Sequence, residues 1–167
     1  EPTTLQRYLE RLHEQFAGLN DGAVADYIPE LSKADPEWFG IAIVTIDGHV
    51  YQVGNSREEF SIQSISKAFT YGIALEDRGD ELVASKIDVE PSGEAFNSIS
   101  LEPHTGRPRN PMINAGAIVA TSLVDGDSGG QKISRILEKF AAYTGHKLSV
   151  DEAVYASEKT TGHRNRA

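Results

Sequence analysis

The chain has 167 residues, with 16 Lys+Arg against 25 Asp+Glu for a formal net charge of −9, 39% hydrophobic residues and no cysteine. This composition supports a folded domain with a core and disfavours nucleic-acid phosphate as a partner; it excludes disulfides, thiolate nucleophiles and cysteine-held zinc. No apolar run nears the ~20 residues of a bilayer span, no signal-peptide pattern is visible although the chain opens at Glu1 rather than Met, and the expected compartment is the cytoplasm.

Residues 3–18 predict an amphipathic helix, because Leu5, Tyr8, Leu9, Leu12 and Phe16 recur at helical spacing behind Thr3 and Thr4, both able to cap it. "GAVADYIPEL" follows as a short helical turn expected to stop near Pro29. The clearest hairpin is "FGIAIVTIDGHVYQVGN" (39–55), whose β-branched and aromatic runs flank Asp47-Gly48, a pair suited to a tight turn with positive φ. "SIQSISKAFTYGIAL" (61–75) opens a helix expected to reach residue 77. Between Glu59 and Glu76 its single charge is Lys67, the signature of a buried helix.

Residues 78–110 are rich in Pro, Gly, Ser and Asn and read as loops with short helical pieces. "PMINAGAIVATSLV" (111–124) predicts a second buried helix, "QKISRILEKFAAYTG" (131–145) a charged amphipathic helix ended by Gly145, and "SVDEAVYASEKTTG" a short last helix. The region 78–167 is therefore expected to be mainly helical. No repeat or linker divides the chain, which reads as one domain over 1–167. The five histidines (His13, His49, His104, His146 and His163) are scattered without i,i+4 pairing and read as surface or packing residues, with no metal implied.

Two serines compete as nucleophile. Ser128 lies in "GDSGG", which fits G-x-S-x-G and also matches the run around the serine of trypsin-like proteases. A nucleophile elbow needs a strand immediately before it, and here an apolar helical run precedes the glycines. The double-barrel alternative needs an all-β chain, and only one hairpin is predicted. "DGDSGG" is therefore expected to be a flexible turn whose acidic residues help start the following helix.

Ser64 lies in "SISK". A bare S-x-x-K carries little weight in a chain with 14 serines and 7 lysines. Context adds to it: Ser64 and Lys67 are i,i+3 neighbours at the start of a helix expected to be buried. Desolvation disfavours an ammonium, so Lys67 is expected to have a lowered pKa and to serve as a base for the Ser64 hydroxyl. A lysine that snorkels outward or finds a distant carboxylate fits the spacing equally well.

Longer blocks carry a resemblance: "VADYIPEL" (24–31), "FSIQSISKAF" (60–69), "VEPSGEAFNSI" (89–99), "RPRNPMINAGAI" (107–118) and "SEKTTGHRNRA" (157–167). Through them the chain resembles the bacterial-type glutaminases, which share the serine β-lactamase and penicillin-binding-protein fold. The resemblance implies an α+β fold, a sheet flanked by helices plus a helical subdomain, with a family pattern that continues for about as much again. On that basis residues 1–167 are expected to be an incomplete catalytic domain, inactive alone and lacking later sheet strands.

The implied reaction converts L-glutamine and water to L-glutamate and ammonia through a serine acyl-enzyme. Ser64 and Lys67 would be catalytic, and Tyr27, Gln63, Ser64, Asn114, Glu158 and Asn165 would bind substrate. An anionic Glu158 suits the α-ammonium, while Asn114 and Asn165 both donate and accept. "KTTG" at 159–162 is given no catalytic role. No cofactor is implied, and family members are typically homo-oligomers, dimers or tetramers. Two other readings stay open: a penicillin-recognising peptidase or β-lactamase, which would want a Ser-x-Asn or Tyr-x-Asn motif and a secretion signal, and a non-catalytic binding domain on the same fold.

Overall fold

Thr3 starts the first helix: its side chain accepts a hydrogen bond of 3.2 Å from the Gln6 N–H, as its sequence position suggests, and α1 runs over Thr4–Phe16. The structure is a computed structural model that describes residues 2–162. It divides into two units, one built from the chain up to Ser61 together with Glu152–Thr161, the other from Ile62–Asp151.

In the first unit α1 packs on an antiparallel hairpin of β1 (Gly40–Val44) and β2 (Val50–Gly54), in the register Gly40↔Gly54 to Val44↔Val50. The Gly48 N–H bonds back to the Thr45 carbonyl at 2.9 Å, and Gly48 takes φ 85°, the positive value expected of the Asp47-Gly48 pair. Leu9 of α1 is fully buried. The His13 ring stacks on Phe39 with centroids 4.8 Å apart, and its Nε2 lies 3.0 Å from the Phe39 carbonyl oxygen. Gly54 makes this approach possible, since a Cβ there would fall 2.2 Å from His13 Nε2.

The region around Pro29 corrects the sequence expectation. Pro29 opens rather than ends a helical turn: Ile28 is extended (φ −116°, ψ 114°), and a 3-10 helix spans Pro29–Lys33. The ring clash that bars the residue before proline from helical geometry, and the fixed proline φ that suits a first helical position, give this order. The last helix, α6 (Glu152–Thr161), is tied to this turn by a 3.2 Å bond from the Glu30 N–H to Ser157 Oγ.

The second unit holds α2 (Ser66–Arg78), α3 (Asp80–Lys86), α4 (Asn114–Leu123) and α5 (Gly129–Thr144). Ala74 of α2, Val83 and Ile87 around α3, and Ala120 of α4 form one fully buried cluster. Ile73, Val124 and Phe140 form another between α2 and α5. The two helices expected to be buried keep an exposed side: Phe69 of α2 is 44% exposed and Ile118 of α4 48%.

The C-terminal end of α2 is fastened by three consecutive residues. Glu76 pairs with Lys139, Asp77 with Arg135, and Arg78 with Asp125 at 2.9 Å. The Asp77 side chain is 1% exposed and accepts from Arg135 Nε at 2.8 and 3.0 Å and from the Asp125 N–H at 2.9 Å. Those bonds, the Arg135 bond foremost, hold its carboxyl below the usual aspartate pKa. Among the described residues no helix is long and apolar enough to cross a membrane.

Candidate active site

The helix expected over 61–77 begins differently from a plain α-helix. Gln63 takes φ 45°, the single positive φ among described non-glycine residues, and the chain enters α2 through a 3-10 turn, Gln63–Ile65. A left-handed residue cannot continue an α-helix, so the tighter turn absorbs the change of direction, at a strain of about 1–3 kcal/mol for a non-glycine side chain. Ser64 is thus set in the turn, exposed, with Lys67 one helical turn on.

Lys67 is 8% exposed, yet no described carboxylate pairs with it. Its Nζ donates to Asn114 Oδ1 at 2.7 Å and to the Met112 carbonyl at 3.1 Å, and lies 5.3 Å from the centre of the Phe96 ring. Burial pushes its pKa below the ordinary 10.5. Carbonyl acceptors and an aromatic face favour the cation, and the loss of hydration outweighs them. No hydrogen bond joins Lys67 Nζ to Ser64 Oγ; the amine is turned to the α4 side of the turn.

The segment leading into α4 is folded by its own side chains. Asn110 Oδ1 accepts from the N–H groups of Met112 (3.0 Å) and Ile113 (3.2 Å), and its Nδ2 donates to the Glu90 carbonyl at 3.1 Å. The Asn114 N–H donates to the Phe96 carbonyl at 2.9 Å. Gly116, the third residue of α4, lets this loop close in: a Cβ there would sit 2.0 Å from the Asn110 carbonyl oxygen. The dense "NPMINAGA" block therefore has a physical content, one loop turned so that a backbone carbonyl and an asparagine amide both face the same amine.

The second unit brings Gln63, Ser64, Lys67 and Asn114 to one neighbourhood. Tyr27, 57% exposed, and Glu158, also exposed, lie on the first unit, the former just before the 3-10 helix and the latter next to Ser157 on α6. Asn165 lies outside the described residues. Ser128 has a different occupation. It is the N-cap of α5, accepting from the Gln131 N–H at 3.3 Å while Gln131 Oε1 accepts from the Ser128 N–H at 3.0 Å. This reciprocal capping box replaces the flexible turn expected there and moves the helix start from 131 to Gly129.

Sequence reasoning missed Phe96, Asn110 and the Met112 carbonyl. Asn110-Pro111 is a turn-initiating dipeptide and could have flagged the loop; nothing local marks a carbonyl as a lysine acceptor.

A family model described as Glutaminase matches residues 22–167. The chain belongs to the glutaminase family. A glutaminase of Microcystis aeruginosa is 52% identical over 162 residues, 97% of this chain and 48% of its own length. Among solved structures, the glutamate form of Mglu superposes with a TM-score of 0.91 at 42% identity, covering 99% of this chain and 38% of that one. A probable glutaminase from Bacillus subtilis, complexed with 6-diazo-5-oxo-L-norleucine, does so with a TM-score of 0.86 at 32% identity, covering 99% and 50%. The chain thus spans about half the length of curated relatives such as this one. The mixed α/β arrangement of a small sheet with helices is the one these glutaminases share.

Proposed function

We propose that this chain carries the nucleophile and base of an amidohydrolase that converts L-glutamine and water to L-glutamate and ammonia. The observation that carries the reading is the buried, carboxylate-free Lys67, held by Asn114 and Met112 one turn from Ser64, in a member of the glutaminase family. Lys67, as a neutral amine, takes the Ser64 proton while Ser64 Oγ bonds to the side-chain carbonyl carbon of glutamine. The tetrahedral intermediate collapses, the C–N bond breaks, and the proton goes to the departing nitrogen to give ammonia. Water then adds to the γ-glutamyl ester, Lys67 again taking the proton, and glutamate leaves with Ser64 restored.

The Ser64 N–H, among the first donors of the helical run, is suited to the developing oxyanion. Asn114 and Gln63 serve the substrate amide and carboxylate, Glu158 the α-ammonium, and Tyr27 and Asn165 complete the binding set. The glutamate form of Mglu and the 6-diazo-5-oxo-L-norleucine complex from Bacillus subtilis support an amino-acid-shaped site in the family. We assign the fold to the serine β-lactamase and penicillin-binding-protein class, as one catalytic domain, and expect a cytoplasmic homo-oligomer.

The test uses a chain extended to the family's full length. Ammonia release from glutamine should be present, and Ser64→Ala should abolish it with the circular dichroism spectrum unchanged. Incubation with 6-diazo-5-oxo-L-norleucine, whose diazoketone traps nucleophiles, should add mass to a peptide containing Ser64. Turnover by folded Ser64→Ala, or a label elsewhere, overturns the assignment.

A further inference from the structure

We propose that Asn110 is a positioning residue for the amine of Lys67, acting through the Met112 carbonyl. The inference rests on the reading of Lys67 as the base of the reaction. A lysine nitrogen is tetrahedral: one position is the bond to Cε, leaving three for hydrogens or a lone pair. Asn114 Oδ1 and the Met112 carbonyl take two of these, at 2.7 and 3.1 Å. One position remains, which is an N–H in the cation and the lone pair in the neutral amine. Two fixed acceptors therefore stop rotation about Cε–Nζ and leave one defined direction along which a proton can be exchanged. With a single acceptor the head would spin among three.

Asn114 is the visible acceptor; the second depends on Asn110. The Met112 side chain is 43% exposed, whereas its carbonyl is turned inward to the amine. That peptide orientation is set by Asn110 Oδ1, which gathers the N–H groups of Met112 and Ile113. Asn110 is itself anchored two ways. Its Nδ2 reaches the Glu90 carbonyl, extending the pairing in which the Asp88 N–H bonds to the Pro108 carbonyl (2.9 Å) and the Glu90 N–H to that of Arg109 (3.0 Å). Its own carbonyl lies against Gly116. Behind it, Arg107 clasps Glu102 at 2.7 Å, Asp88 at 3.3 Å and the Ala84 carbonyl at 2.7 Å. The asparagine amide supplies both functions from one short side chain, its oxygen accepting the two amides and its nitrogen donating to the Glu90 carbonyl.

Nitrogen NMR of the 15N-lysine-labelled chain, extended to the family's full length, tests this without substrate, with the Lys67 signal assigned by its loss in Lys67→Met. Its side-chain protons should exchange slowly with water in the parent. In Asn110→Ala they should exchange roughly 10-fold faster or more, whereas in Asn110→Asp, which keeps the oxygen that accepts both amides, they should stay within about 3-fold of the parent. Lys132, bonded to the carbonyls of Ser122 and Val124 in the same unit, is the internal control and should not move. If Asn110→Ala loses its helical circular dichroism, Asn110→Thr, whose hydroxyl reaches one amide only, carries the same comparison. In the full-length chain the alanine variant should lose roughly 10-fold or more in kcat with little change in KM, since a displaced base costs the transition state rather than binding. Unchanged Lys67 exchange in Asn110→Ala, an equal rise in the aspartate variant, or a parallel rise at Lys132 overturns the proposal. Turnover by Ser64→Ala would instead overturn the nucleophile assignment and leave the exchange result standing.

Discussion

Ser64 and Ser128 both stand at the start of a helix, and their surroundings differ in every other respect. Ser128 spends its hydroxyl and its N–H on one glutamine, and with a glycine-rich lead-in it starts α5 at no visible cost. Ser64 follows a residue at positive φ, in a turn without a capping side chain, and its hydroxyl makes no hydrogen bond to the described residues. A serine committed to its own helix start is a structural part; one left out of such bonds, in a strained turn ahead of a desolvated lysine, fits the nucleophile proposed above.

The largest effect should come from removing each serine's partner. Lys67→Met keeps the volume and removes the proposed base, and kcat in a full-length chain should fall by about 10³-fold. Gln131→Met, the matching change at Ser128, should leave kcat within about 2-fold and cost about 1 kcal/mol of stability by denaturant titration. Equal kinetic losses would erase the distinction.

Gly116→Ala should come next. Its Cβ would meet the Asn110 carbonyl at 2.0 Å, so the loop must shift, at about 1–3 kcal/mol in thermal or chemical unfolding, together with a loss of kcat. Ser128→Ala should be milder, about 1 kcal/mol from the lost cap with kcat retained. The smallest change is a gain. Gln63→Gly removes the strained side chain and should raise stability by about 1 kcal/mol, while lowering affinity for glutamine if Gln63 binds it.

The pH profile sharpens the contrast further. The proposed mechanism uses a neutral Lys67, so kcat/KM should rise with pH through the Lys67 pKa, on a limb lying below 10.5 because desolvation lowers it. Stability should rise with pH over the same window, since the unfolded lysine binds more protons there than the folded one. At the acid end Glu102, held at about 2 by Arg107 and Thr105 against an ordinary 4.5, contributes stability present above 4.5 and lost as pH falls toward 2. An acid limb at the same pH in Lys67→Met would remove the lysine from the profile.

Much of this was legible in the residues, for reasons that differ by region. The hairpin announced itself because period-two alternation and Asp47-Gly48 are local signals, and α1 and α5 because their apolar stripes are regular. At Pro29 the expected stop uses half of what the residue encodes: proline bars helix before itself and favours helix after itself, and the second effect sets the turn over Pro29–Lys33. α2 and α4 are less buried than their lack of charge suggests, since apolar composition does not show how many sides of a helix are covered. At the site, the isolation of Lys67 was readable from the absence of nearby acids. The acceptors were not, because Asn114 is 47 residues away and the Met112 carbonyl carries no sequence identity at all.

The fastening of α2 at Glu76, Asp77 and Arg78 makes it a beam clasped at one end and bonded through Lys67 to Asn114 and Met112 at the other. Lys67 stands ten residues from Asp77, about 15 Å along the axis at 1.5 Å per residue. A pivot of about 2° at the clasp would therefore swing the amine by about 0.5 Å, comparable with the tolerance of a catalytic constellation. Charge substitutions at Asp77 or Arg135, remote from any reacting atom, are thereby placed to detune the far tip of the beam.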